Sequence, residues 1–171
     1  AGPCAEARAQ SSWARARALA AKDARMKITS DVVAILRSAK TIAVVGLSPD
    51  PARPSHGVAR YLQRQGYRIV GINPGHSELL GSPAFERLAA AASAAGPIEI
   101  VDVFRRSEFV PEIAAAAIAI GARLLWLQEG VSHPAAEQAA RDAGLAVVAD
   151  RCLLKEHVKL QAQSDAHTGG Q

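Results

Sequence analysis

Residues and segments typical of extracellular and membrane proteins are scarce in this sequence. Only two of the 171 residues are cysteine, too few for a disulfide framework, which favours a reducing, cytoplasmic setting. No apolar run approaches the roughly 18 residues that span a bilayer, so we expect no membrane-spanning segment. Aromatic residues make up 4 % of the chain, and the core must therefore be built from Val, Ile, Leu and Ala.

Positive charge is concentrated at the amino terminus. The formal net charge is +4, and residues 1–25 contribute +3 of it, with five basic against two acidic side chains. The remainder is nearly neutral and has no basic stripe interleaved with aromatics, so we expect no nucleic-acid partner. Residues 1–25 are predicted to be a mobile Ala/Arg-rich leader, with an organellar transit peptide as the alternative. The polar residues 161–171 are predicted to be a disordered tail.

Residues 27–160 alternate short apolar runs with helical patterns. Strands are predicted over Thr41–Val45, Tyr67–Ile72, Ile98–Val103, Leu124–Leu127 and Leu145–Ala149, with a short extended piece at Glu78–Gly81. Helices are predicted over Asp31–Ala39, Ser55–Gln65, Phe85–Ala95, Ser107–Ile120 and Pro134–Ala143, with N-caps at Ser30, Ser55 and Ser107. This alternation predicts an α/β, Rossmann-like doubly wound fold: a mainly parallel five-stranded sheet with helices on both faces.

The loops that follow the predicted strands are the expected ligand site, because open parallel sheets bind ligands outside the carboxyl ends of their strands. In the first loop, Gly46 allows a close backbone approach and Ser48 adds a hydroxyl. Arg53 and Ser55 stand at the start of the next helix, where free amides and the helix dipole favour a phosphate. The alternative is a proline-rich turn in which Ser55 acts only as an N-cap.

A dinucleotide site is not favoured by these loops. The residues Gly46-Leu47-Ser48-Pro49 do not form the G-x-G-x-x-G fingerprint. The second strand ends in Asn73-Pro74, where an NAD site carries an acidic residue for the ribose hydroxyls. Both departures leave room for a nucleotide whose ribose carries a phosphate.

Several spaced motifs, in order, resemble one family. They are Gly46-Leu47-Ser48-Pro49, Arg53-Pro54-Ser55, Asn73-Pro74, Val101–Ser107, Trp126–Gly130 and Asp150-Arg151-Cys152. The sequence resembles the small stand-alone CoA-binding domain proteins, whose fold is similar to the nucleotide-binding domain of the succinyl-CoA synthetase alpha subunit. Such a series is more specific than any single motif.

The resemblance implies a ligand, coenzyme A or an acyl-CoA, and a role for each matching position. The residues implied to hold phosphates are Gly46, Ser48, Arg53 and Ser55. Those implied to lie by the adenosine half are Asn73 and Pro74, and those at the nucleotide or pantetheine entrance are Val103, Phe104 and Arg105. Those implied to border the thiol end are Gln128 and Gly130.

Other polar residues receive structural interpretations. Of the two adjacent arginines we expect Arg105 to meet the ligand, the alternative being a salt bridge to Glu108 or Glu112. Asp102 interrupts an apolar strand and is expected to orient a loop, because a buried carboxylate needs partners. The five histidines show no metal-site spacing, and we assign no catalytic residue.

The resemblance implies a binding or regulatory module and leaves independent catalysis doubtful. Related synthetases also need a phosphohistidine and a nucleotide-grasp domain, for which residues 27–160 leave no room. An acyl-CoA enzyme is therefore a possible partner. The alternative function is an NAD(P)-dependent oxidoreductase on the same scaffold.

Overall fold

The structure, a computed structural model, describes residues 28–168, with side chains to residue 164. The predicted leader at 1–25 lies outside the described residues. The strands are β1 Thr41–Val45, β2 Arg68–Ile72, β3 Glu78–Leu79, β4 Ser82–Phe85, β5 Ile100–Val103, β6 Leu124–Leu127 and β7 Ala146–Val148. Their order in one sheet is β3-β4-β2-β1-β5-β6-β7. All pairs are parallel except β3–β4, which confirms the predicted Rossmann-like α/β fold.

The helices fill both faces of this sheet. They are α1 Ser30–Ser38, α2 Pro54–Arg64, α3 Leu88–Ala95, α4 Val110–Ala119, α5 Pro134–Asp142 and α6 Leu153–Thr168, with a 3-10 turn at Ser107–Phe109 before α4. The N-cap of α1 is Thr29, whose hydroxyl accepts from the Val32 amide at 3.4 Å. The prediction of Ser30 as the cap is therefore wrong by one residue. Ser107 opens the 3-10 turn, and its hydroxyl accepts from the Ser132 amide at 3.1 Å.

The sheet has seven strands rather than the predicted five. The difference lies in β4 and in the β3–β4 hairpin, which turns through Leu80 and Gly81 with positive φ angles of 53° and 73°. Phe85, predicted to begin a helix, is the last residue of β4 and pairs with Ile72. The pairing with β2 holds this segment extended, and α3 begins only at Leu88.

Side chains alternate between two apolar cores, one on each face of the sheet. One core packs β1 and β5 residues such as Val45 and Val103 against α3, α4 and α5. The other packs Val44, Ile100 and Trp126 against α1, α2 and α6. Every residue of β1, β5 and β6 is buried, so these three central strands lack the polar alternation of a half-exposed sheet.

The helix α6 corrects the prediction of a disordered tail for residues 161–168, while 169–171 lie outside the described residues. It continues to Thr168, and Leu153 at its start is fully buried in the second core. Contacts with α2 hold α6 against the body: the Tyr61 hydroxyl lies 2.9 Å from Nδ1 of His157. Residues 161–163 are exposed on this helix, in keeping with their polar composition.

Candidate functional site

The strand order reverses at β1, which makes the carboxyl edge of β1 and β5 the switch point. The chain runs from β1 through β2 to β4 on one side and then crosses to β5 on the other. Parallel ladder bonds continue past the strands, from the Gly46 amide to the Ile72 carbonyl and from the Phe104 amide to the Val45 carbonyl, both at 2.9 Å. The loops after β1, β2 and β5 therefore meet at one place, as the sequence predicts.

Position 46 requires glycine for two reasons, its backbone conformation and the side chain that packs against it. Its φ is +86°, a left-handed conformation that L side chains disfavour. A Cβ at this position would lie 3.2 Å from Cδ of Arg105. The loops after β1 and β5 thus touch through a residue that has no side chain, and the backbone at this point is open to close approach.

The loop after β1 is tied to the start of α2 by two side chains. The Ser48 amide donates to Oγ of Ser55 at 3.1 Å, and Nδ1 of His56 lies 3.1 Å from the Ser48 carbonyl. A carbonyl only accepts, so Nδ1 of His56 is the donor in this contact. Ser55 is therefore not the N-cap that the sequence predicts. The cap position is Arg53, whose side chain makes no capping bond and is exposed.

Asn73 joins the loops after β1 and β2. Its Nδ2 donates to the Leu47 carbonyl at 2.9 Å, and its Oδ1 accepts from the Gly75 amide at 3.0 Å. An aspartate could not donate the first of these bonds. The absence of an acidic residue at the end of β2, noted in the sequence, therefore has a structural reason here.

A cavity of about 250 Å³, the carboxyl-edge cavity, opens beside Gly46. Its walls come from the ends of β1 and β2 and from α3 and α4, and they include Val45, Ile72, Pro74, Phe109 and Ile113. The Arg105 guanidinium lies 4.4 Å from the centre of the Phe109 ring, a cation–π distance. The cavity thus offers flat apolar walls with a cation at one side. Gly46, Pro74 and Arg105 are the predicted site residues that line it.

The two adjacent arginines differ in ion pairing, although both guanidinium groups lie over the Phe109 ring, 4.4 and 5.5 Å from its centre. Arg106 pairs with Glu108 at 2.8 Å, and both side chains are largely exposed. Among residues 28–164, Arg105 forms no ion pair and lines the cavity instead. The expected salt bridge therefore belongs to Arg106, and Arg105 is available to a ligand.

The side chain of Asp102 holds Gln128, the first residue after β6, in place. Nε2 of Gln128 donates to Oδ1 of Asp102 at 2.8 Å, and both side chains are buried. Burial raises the pKa of Asp102 to about 7, against the opposing effect of its hydrogen bonds from Gln128 and the Val103 backbone. Gly130, with φ +79°, donates its amide to Asp150 at 2.7 Å. Asp102 does orient a loop, as the interruption of an apolar strand indicated.

Phe109 is a site residue that sequence reasoning missed. It lies in the 3-10 turn between Ser107 and α4, and its signal was an aromatic residue four positions after Arg105 in a chain with few aromatics. Glu86, Arg87 and Glu112 at the rim of the carboxyl-edge cavity were missed as well. Glu86 and Arg87 lie between β4 and α3, Glu112 lies in α4, and none of the three belongs to a local sequence motif.

No group of three or more His, Cys, Asp or Glu side chains within 28–164 is arranged to hold a metal ion. No described helix combines the length and apolar character needed to cross a membrane. What the fold and the loops define is a doubly wound, Rossmann-like α/β protein with a crevice at the switch point of its sheet.

Comparisons with known proteins identify the family. The model described as CoA binding domain matches residues 40–158, and the chain belongs to that family. Uncharacterized protein YneT of Bacillus subtilis (strain 168) is 39 % identical over 128 residues, covering 75 % of this chain and 93 % of YneT.

Solved structures agree in fold. The structure of cell-free ID.343 from Thermus thermophilus is 43 % identical, with a TM-score of 0.72 over 77 % of this chain and 99 % of that one. A hypothetical protein from Pyrococcus horikoshii OT3 is 35 % identical, with a TM-score of 0.73 over 78 % and 93 % of the two chains. The likeness to each spans nearly the whole of the other protein.

Proposed function

We propose that the protein binds coenzyme A or an acyl-CoA at the switch point and acts as a binding or regulatory module. The observation that carries the proposal is the junction of Gly46 and Arg105 beside the carboxyl-edge cavity. It combines a glycine that lines the cavity, a cation without an ion-pair partner among the described side chains, and apolar cavity walls, within a CoA-binding domain family.

Each part of the ligand has a chemically matching surface. The diphosphate suits the Gly46–Ser48 loop and the start of α2, where Arg53 is exposed and makes no capping bond. The adenine suits the carboxyl-edge cavity, because a flat aromatic base packs well between Pro74 and Phe109. The pantetheine arm then extends past Phe104 towards Gln128 and Gly130. Arginines provide bidentate donors for phosphate oxygens along this path.

A ligand comparison by thermal unfolding tests the proposal. At 100 times Kd a ligand stabilises the native state by about 2.7 kcal/mol, which raises Tm by roughly 5–10 °C in a domain of this size. We expect this rise with CoA and acetyl-CoA. NADPH and NADH serve as matched controls, since they carry the same adenine and diphosphate. Stabilisation by NAD(P)H without stabilisation by CoA would favour the oxidoreductase alternative and overturn the proposal.

A further inference from the structure

We infer that Asp102 is a positioning residue of the proposed CoA site, fixing the Gln128 amide and taking up a proton from solvent when the ligand binds. The inference rests on the proposed function and adds a regulation to it, a dependence of affinity on pH. No motif of the first loop contributes to it.

The geometry first explains the positioning. Asp102 has no exposed surface and sits one residue before the end of β5, between Val44 of β1 and Trp126 of β6. Its Oδ1 accepts the 2.8 Å bond from Gln128. The backbone of Gln128 is fixed as well, because its amide donates to the Val103 carbonyl and its carbonyl accepts from Val131. The side-chain amide of Gln128 therefore has one orientation, set by the carboxyl group beneath it.

The second carboxyl oxygen of Asp102, Oδ2, is the atom that takes up the proton. Within the described chain, Oδ2 is buried and has no hydrogen-bond partner. Oδ1 is occupied as an acceptor, so the proton of the neutral acid resides on Oδ2. A buried carboxylate with one bare oxygen is unfavourable, and the carboxyl pKa lies near neutrality as a result.

Charged neighbours do not supply an alternative partner for this carboxyl group. Of the titratable side chains on the adjoining elements, His56 of α2 bonds the Ser48 carbonyl. Arg105 lies over Phe109, and Asp150 accepts from Gly130. Val44 and Trp126, which flank Asp102 on β1 and β6, carry no charge. Burial alone raises the pKa of Asp102; the hydrogen bonds from Gln128 and the Val103 backbone oppose it, and no charged side chain contributes.

Ligand binding then favours the protonated form. The proposed placement puts the CoA diphosphate at the loop after β1, the strand whose Val44 pairs with Asp102, and a nearby negative charge raises the pKa of a carboxyl group. Protonation and binding are therefore linked, and affinity falls as pH rises through neutrality. The phosphate groups of the ligand would change the proton count in the opposite direction. Arginines that hold a phosphate favour its deprotonated form, so binding there releases a proton.

Calorimetry with acetyl-CoA tests the inference, because this probe has no free thiol. Titrations at pH 7.5 in buffers of different ionisation enthalpy report the protons exchanged. We expect an uptake of a few tenths of a proton per ligand, and a Kd that weakens by about fivefold between pH 6.5 and 8.5. The D102N variant keeps an acceptor for Gln128, and it should show neither the uptake nor this part of the pH dependence.

The chain offers a matched control pair. Nε2 of Gln138 donates to Oδ1 of Asp142 at the same 2.8 Å, on an exposed helix surface. The D142N variant should behave as the wild type. The His56→Gln variant should retain the uptake, and this measurement stands even where D102N does not fold. Proton uptake lost with His56→Gln, or equal in D102N and wild type, overturns the role of Asp102. Absence of acetyl-CoA binding at every pH overturns the proposed function itself.

Discussion

Two cavities of the same size lie at opposite edges of the sheet. The carboxyl-edge cavity holds about 250 Å³ beside Gly46. A second cavity of about 250 Å³, the amino-edge cavity, lies between α1, the end of α2 and α6, and Gly66, Tyr67 and His157 line it. Volume alone therefore does not distinguish a binding site in this protein.

Hydrogen bonding distinguishes them. In the amino-edge cavity, the Tyr67 hydroxyl donates to the Leu36 carbonyl at 2.6 Å and accepts from Nε2 of His157 at 3.2 Å. Nδ1 of His157 in turn accepts from Tyr61. These polar groups satisfy one another and join α1, α2 and α6 to the residue that precedes β2. In the carboxyl-edge cavity, Arg105 faces apolar walls and forms no ion pair among the described residues. The first arrangement serves stability, and the second leaves chemistry for a ligand.

Glycine-to-alanine changes at the two cavities should give the largest contrast. Gly46 and Gly66 have φ angles of +86° and +95°, so alanine costs each about 1–2 kcal/mol of stability. The new Cβ meets Arg105 only at position 46, and at position 66 it meets nothing within 4 Å. We expect Gly46→Ala to weaken CoA binding about 100-fold by blocking the backbone and displacing Arg105. Gly66→Ala should bind CoA as the wild type does. Calorimetric Kd values decide, and equal losses would contradict the contrast.

Removal of Arg105 should have a smaller effect on binding. A hydrogen bond to a charged group contributes about 1.5–3 kcal/mol, so Arg105→Ala should raise the Kd for CoA at least tenfold. The neighbouring Arg106→Ala is the control, because Arg106 is exposed and paired with Glu108. Both changes remove one positive charge. A similar loss in the two variants would show a general electrostatic effect and would remove Arg105 from the site.

The features of the two cavities differ in how well they could be predicted from the sequence. Strands such as Thr41–Val45 and Leu124–Leu127 have the predicted bounds, because continuous β-branched and apolar runs are buried on both faces. The meeting of Gly46 with Arg105 followed from topology, since strand order brings their loops together.

The missed features depend on contacts between distant residues. The strand β4 has little propensity of its own, and its pairing with β2 defines it. Ser55 has the composition of an N-cap, but it bonds the Ser48 amide seven residues earlier. His157 interacts with Tyr61 and Tyr67, which lie 96 and 90 positions earlier in the chain. No local pattern carries that information.

The smallest expected effect concerns the amino-edge cavity and its dependence on pH. Burial lowers the pKa of His157, whereas in the unfolded chain a histidine titrates near 6.5. Below that pH the unfolded state binds the proton more strongly, so stability is complete above about 6.5 and declines as the solution is acidified. His157→Gln removes this titration, and its free energy of unfolding should fall less between pH 7 and 5 than that of the wild type. Denaturant unfolding at both pH values measures the difference.

The affinity for CoA at pH 7 should be unchanged, because His157 lies at the opposite edge of the sheet from Gly46. A loss of CoA binding in this variant would mean that the two edges are coupled through α2, and the separation of a structural from a binding cavity would then fail.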